Sequence, residues 1–237
     1  MKESDTGNNI FAETGEWNFG SGVEKNFDIH IKNSILGYEI GNYIALLLSD
    51  PFVKKGSQII DIGCSTGKFT RDLLAKHISK NPKIVGIDNK KNMLEKCIQE
   101  DSTKTIKYTL LDVIKDKIPS HNDMVTSFYT MQFIPPSSRQ AVFDKIYNSL
   151  NWGGGFFLYE KIRAPDARFQ DYLNHAYTNF KLEKFSSSEI IAKANSLIGV
   201  MEPFSSQGNI DLMKRAGFKD ICTVSKVLCF EGFLAIK

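Results

Sequence analysis

A chain of 237 residues, 42% apolar and 24% charged, has the make-up of a globular protein able to bury a core without disulfides or metals. Its net charge of +3 is too small for a phosphate-tracking surface, so nucleic acid is not an expected partner. The cysteines Cys64, Cys97, Cys222 and Cys229 show neither CxxC nor Cys-His spacing; free thiols and no metal site are expected.

The N-terminus is polar and acidic, without the basic and apolar regions of a signal peptide. No apolar run is long enough to span a bilayer, so no membrane partner is expected and the cytoplasm is the expected compartment. Residues 1–15 read as a flexible tail. Helical spacing of Tyr38, Ile40, Tyr43, Ile44 and Leu47 marks the segment Val23–Ser49, with breaks near Gly37 and Gly41. The run Gln58–Ile62 then reads as a strand buried on both faces, ending at a glycine-rich turn.

From there strand and helix alternate. Thr66–Ser79 is helical, Lys83–Ile87 a strand, Lys91–Glu100 a helix and Ile106–Leu111 a strand. Asp123–Thr130 is the next strand, Arg139–Leu150 a helix, Asn151–Gly155 a turn and Phe156–Tyr159 a strand. Such repetition predicts an α/β fold with a mostly parallel sheet covered on both faces. After Arg163 the rhythm becomes helical and rich in Phe, Tyr and polar residues, as in a cap over the sheet edge. Gly208–Ala216 is a last helix closed by Gly217, and Ile221–Cys229 with Gly232–Ile236 read as an antiparallel hairpin. The expected organisation is a tail over 1–15, a core over 16–162, a cap over 163–206, and a C-terminal segment over 207–237 that completes the core.

Chemistry gathers at the carboxyl ends of the strands, where open α/β sheets bind ligands. Asp61-x-Gly63-x-x-x-Gly67 joins strand to helix, and its glycines let the backbone approach a ligand; a plain structural turn would look similar. Ser65 stands where a pyrophosphate-binding loop would carry its second glycine, which favours a ligand without a pyrophosphate. Asp88 can accept hydrogen bonds from both ribose hydroxyls, or serve as the N-cap of the helix from Lys91, a role open to Asn89 as well. Asp112 can accept from an adenine amino group. Asp61, Asp88 and Asp112 at three successive strand ends point to an adenosine-bearing ligand.

This three-acid pattern resembles the class I S-adenosylmethionine (SAM)-dependent methyltransferase fold. The match is closer to the carboxy-S-adenosyl-L-methionine synthases of tRNA wobble-uridine modification. The similar stretches include Trp17-Asn18-Phe19, Ser34–Tyr38, Asp61–Ser65, Gly86–Asn89, Thr130–Phe133, Asp144–Tyr147, Glu160-Lys161 and Ala216–Phe218, spanning about Trp17 to Lys237. The resemblance implies a Rossmann-like core with a mostly parallel seven-stranded sheet, a C-terminal antiparallel hairpin and a helical cap insertion. It implies SAM as cosubstrate, with Tyr38, Gly63, Asp88, Asn89, Asp112 and Val113 lining its pocket, and it allows a homodimer; Asp61, Cys64 and Ser65 of the glycine-rich turn, with Phe128, complete the expected SAM-binding set.

Two departures stand out. Phe128 occupies the position of a family asparagine, and Ala194 that of the arginine that holds the extra carboxylate of carboxy-SAM. A methyl group cannot replace a bidentate guanidinium. Phe128 is either core or an aromatic face for the sulfonium, a cation–π contact of about 0.5–2 kcal/mol. In the cap, Arg163, Arg168, Tyr172, His175 and Tyr177 are candidates for the acceptor site, with His175 as a possible base; solvation of a surface helix explains the same pattern. With Phe128, Tyr172 and His175 as catalytic candidates, the expected activity is that of a transferase moving a methyl group from SAM to a small-molecule acceptor. The alternatives are carboxy-SAM synthesis from prephenate, and another SAM-consuming reaction such as intramolecular cyclisation releasing methylthioadenosine.

Overall fold

The computed structural model describes residues 3–20 and 22–237. Two helices, α1 (Val23–Ser34) and α2 (Tyr38–Leu48), precede the sheet. Gly37, at φ 80°, breaks the helical segment by opening α2 in the left-handed region. Gly41 is no break, contrary to expectation: it lies inside α2, where an added Cβ would press 3.1 Å from the Tyr159 ring.

The main sheet contains β3 (Gln58–Ile62), β4 (Lys83–Asp88), β5 (Lys107–Leu110), β6 (Asn122–Phe128), β7 (Leu150–Lys161), β8 (Asp220–Val227) and β9 (Phe230–Ile236). Their order is β5-β4-β3-β6-β7-β9-β8, with β9 antiparallel to both β7 and β8 and the other pairings parallel. The Rossmann-like architecture and terminal hairpin expected from sequence are present. The helices α3 (Lys68–His77), α4 (Lys91–Glu100), α5 (Pro136–Ser149) and α8 (Ser206–Ala216) connect the strands.

Side-chain alternation divides the core between the two faces. Ile60, Ile62, Val125, Phe156 and Leu158 pack with Phe143 and Ile146 of α5 and Leu212 of α8. Their strand neighbours Ile59, Met124, Phe157 and Tyr159 pack with Ala45 of α2 and with Phe69 and Leu73 of α3. The turn expected at 151–155 is absorbed into an irregular start of β7, where Gly153 takes φ 76° and the register with β6 shifts.

Helices α6 (Ala167–Leu182) and α7 (Ser187–Ser196) follow β7. Residues 4–12, read from sequence as part of a flexible tail, form a ribbon of β1 (Ser4–Asp5) and β2 (Phe11–Ala12) that buries Thr6, Ile10 and Ala12. The chain beyond it is stitched to α7 by the Gly15 and Trp17 N–H groups, which donate to the carbonyls of Asn195 and Ser196. No helix among the described residues is long and apolar enough to cross a membrane.

Candidate functional site

One cavity of about 880 Å³ lies at the carboxyl ends of β3 to β6, walled on the other side by α6, α7 and the segment Trp17–Phe19. That volume is at the upper end for small-molecule sites. The turn after β3 supplies its floor. Gly63 (φ 71°), Ser65 (φ 52°) and Gly67 (φ 76°) all use the left-handed region. Gly63 and Cys64 donate their N–H groups to the Ile87 carbonyl, which pins the turn to β4. A side chain at Gly63 would collide with Thr130, so glycine is required there by space as well as by φ.

The three carboxylates have different duties. Asp61 is buried, its Oδ2 accepting from Thr70 Oγ1 at 2.5 Å and its Oδ1 from Thr126 Oγ1 at 2.7 Å, and burial pushes its pKa up. Asp61 is only 4% exposed and bonded between two internal hydroxyls, whereas Asp88 is half-buried, so Asp61 chiefly shapes the turn. Asp88 accepts from Lys90 N–H through Oδ1 and from Ser65 N–H through Oδ2, each at 2.9 Å. Each oxygen keeps a lone pair for a further donor. Burial again raises its pKa, against the pull of those backbone donors. Neither Asp88 nor Asn89 is the N-cap of α4: that position is Lys90, with no side-chain cap, so the capping alternative is set aside. Asp112 follows β5 and accepts from Ile114 N–H at 3.0 Å.

Tyr38, Asp61, Gly63, Cys64, Ser65, Asp88, Asn89, Asp112, Val113 and Phe128 all line this cavity. Tyr38 opens α2, and burial drives its pKa up to about 12. The Phe128 ring lies 4.3 Å from that of Phe69 and 4.8 Å from that of Tyr159, centroid to centroid, and also lines the cavity. Glu160 sustains the rim from beneath. It accepts from the N–H groups of Thr130, Met131 and Gln132, while the buried Arg139 donates to the carbonyls of Ile134 and Gln132.

Two catalytic candidates, Tyr172 and His175, lie outside the cavity lining. Tyr172 is 59% exposed, and His175 is exposed with its Nε2 3.1 Å from Asn179 Nδ2; neither lines the cavity. The face that α6 presents inward carries Gln170, Asn174, Tyr177 and Lys181, a spacing of four, three and four residues, and Tyr172 and His175 fall off that stripe. Arg163 and Tyr177 reach the cavity and Arg168 does not. Among the described residues, no group of three His, Cys, Asp or Glu side chains is placed to hold a metal ion.

Residues 59–154 match the family model described as "Methyltransferase domain". The carboxy-S-adenosyl-L-methionine synthase of Staphylococcus epidermidis is 31% identical over 224 residues, 94% of this chain and 97% of its own. That of Shigella sonnei is 35% identical over 234 residues, 95% of this chain and 93% of its own. The chain belongs to the carboxy-S-adenosyl-L-methionine synthase family. Solved structures agree on the fold. The SAM-dependent methyltransferase SibL in its apo form superposes with a TM-score of 0.64 at 16% identity, over 92% of this chain and 59% of that one. Human N-acetylserotonin methyltransferase in complex with SAM gives 0.59 at 17%, over 84% and 52%.

Set against this synthase family, both departures face the cavity, since Ala194 lines it as Phe128 does. Sequence reading passed over the charged residues nearby. Lys193 lines the cavity beside Ala194, with its Nζ over the Trp17 ring. Lys161 and Lys181 line it too. The inward stripe of α6, read at spacings of three and four, was the available signal for Lys181.

Proposed function

We propose that this chain binds SAM over the turn Gly63–Ser65 and transfers its methyl group to a small-molecule acceptor seated beneath α6 and α7. In this reading Asp88 receives the ribose hydroxyls, Asp112 the adenine amino group, and Tyr38, Asn89 and Val113 border the same ligand. The observation that carries it is the pairing of an intact acid-lined end, Asp88 and Asp112, with an uncharged Ala194 in the same cavity. The binding end of the family is kept and the arginine expected for its product is gone. The sulfonium is already activated, so alignment and exclusion of water supply most of what methyl transfer requires. Phe128 would face the sulfonium by cation–π attraction.

A second reading, carboxy-SAM synthesis from prephenate, draws support from relatives of that name at 31–35% identity over nearly the whole chain. It is also favoured by Lys193, a cation adjacent to Ala194. One experiment separates the two. The purified protein is incubated with SAM alone, with SAM and prephenate, and with SAM and a panel of small acids, and products are followed by mass spectrometry. Methylated acid with S-adenosylhomocysteine supports methyl transfer. Carboxy-SAM from the prephenate tube overturns it, and methylthioadenosine from SAM alone points to intramolecular cyclisation.

A further inference from the structure

The end of the cavity away from Asp88 is built from cations. Lys161 ends β7, Lys181 occupies the last turn of α6, and Lys193 lies in α7. The Nζ atoms of Lys161 and Lys181 sit 4.4 and 4.6 Å from the centroid of the Tyr177 ring, and that of Lys193 lies over Trp17. Arg163 lines the same wall. Among the described residues, none of these four forms an ion pair with a carboxylate, and none of the three lysine ammonium groups donates a hydrogen bond. Elsewhere the protein does pair its cations, as in Arg71 with Glu100 at 2.6 Å and Lys68 with Asp72 at 2.7 Å.

A second observation points to a ligand at this wall. His30 and Trp17 are 4% and 5% exposed, line the same cavity, and stack with ring centroids 5.8 Å apart. Trp17 Nε1 and both His30 ring nitrogens are buried without completing a hydrogen bond. Buried polar atoms of this kind are normally satisfied. Grouped cations without counter-charge repel one another and lose hydration, a cost relieved by losing a proton or by binding an anion.

We propose that Lys161 and Lys181 over Tyr177, with Lys193 over Trp17, form the binding site for an oxyanion, a carboxylate or phosphate, carried by the second substrate. The inference rests on the reading that SAM occupies the opposite, acid-lined end, and it narrows the acceptor to small organic anions. The charge lost at Ala194 is thereby supplied from other positions, with the space over Ala194 left open. Lysine acts here as a point charge, so the site selects charge more than planar geometry.

The test is a titration of protein saturated with S-adenosylhomocysteine, using malonate and inorganic phosphate as separate probes. Wild type is compared with Lys181→Met, Lys193→Met and the double variant. At least one probe is expected to bind wild type and to lose tenfold or more in affinity in the double variant, with S-adenosylhomocysteine affinity changed less than threefold; the probe that binds identifies the oxyanion. Binding of neither probe, or equal binding by the double variant, overturns the proposal. So does a parallel loss of S-adenosylhomocysteine affinity, because the lysines would then hold that ligand's own carboxylate. Thermal melts check folding, and Lys181→Gln with Lys193→Gln serve where the methionine variants fail to fold. Failure of the SAM reading itself shows separately, as no S-adenosylhomocysteine binding to wild type; the probes are then titrated alone against the same criteria.

Discussion

Asp88 Oδ2 accepts the backbone N–H of Ser65 at 2.9 Å, tying the end of β4 to the turn after β3. The side chain thus both holds the turn and offers its remaining lone pairs to the cavity. Asp88→Ala removes both functions, and SAM affinity by titration calorimetry is expected to fall at least tenfold, a loss of about 1.4 kcal/mol or more. Asp88→Asn keeps an acceptor for Ser65 but not the charge, so it should retain the melting temperature better than alanine while still weakening SAM. Undiminished affinity in both variants would remove Asp88 from the site.

Gly63 offers a sharper structural test. With φ at 71° and Thr130 packed against the place of its missing Cβ, Gly63→Ala incurs both backbone strain and a collision. Left-handed strain alone is worth about 1–2 kcal/mol. The expected result is a clear drop in melting temperature together with weakened SAM binding. Gly56 is a control: it also has positive φ, 74°, but open space around it, so Gly56→Ala should lose stability without losing affinity.

Glu160 shows where sequence stops informing. The strands, the acid at each strand end and the terminal hairpin were legible because period-two and period-three-to-four patterns report burial directly. Glu160 lies inside a motif noted only for resemblance, and its partners Thr130, Met131 and Gln132 are some thirty residues away. Nothing local announces such a contact. The inward face of the cap was hidden from the sequence for a related reason. Tyr172 and His175 look chemically capable, but which face of α6 turns inward is set by packing against Phe230 and Ser34, through Tyr177. Burial of Glu160 raises its carboxyl to about 8, opposed by three backbone N–H groups and by Arg139. Glu160→Ala leaves those N–H groups without an acceptor and is expected to destabilise the fold by roughly 3 kcal/mol, read from denaturant unfolding.

Lys181 gives a pH dependence with a definite sign. Desolvation first, and then Lys161, lower its pKa from 10.5 to about 8, with the Cys229 thiol acting in the opposite sense. Between about 8 and 10.5 the unfolded chain binds more protons at this position than the folded one, so this residue's contribution to stability rises with pH across that window. Below about 8 the folded protein carries the full penalty of the charged amine. Lys181→Met is therefore expected to raise the melting temperature at pH 7, and the gain should shrink as pH approaches 10.5. A gain independent of pH would mean that packing, not charge, was relieved.

Restoring both family residues tests what the two departures mean together. Ala194→Arg returns a guanidinium to the cavity wall, and Phe128→Asn replaces a ring packed on Phe69 and Tyr159 with a small polar group. Losing that aromatic packing is expected to destabilise the protein by about 3–5 kcal/mol, so Ala194→Arg is made first and the pair second. If the departures redirected the reaction, the single variant should raise carboxy-SAM formation from prephenate, measured by mass spectrometry, and the double variant should raise it further per folded molecule. Methyl transfer should fall in step, because arginine fills the space left open over residue 194 and Phe128 no longer faces the sulfonium. Unchanged product ratios in both variants would show that Phe128 and Ala194 do not decide the reaction, and would shift that role to Lys161, Lys181 and Lys193.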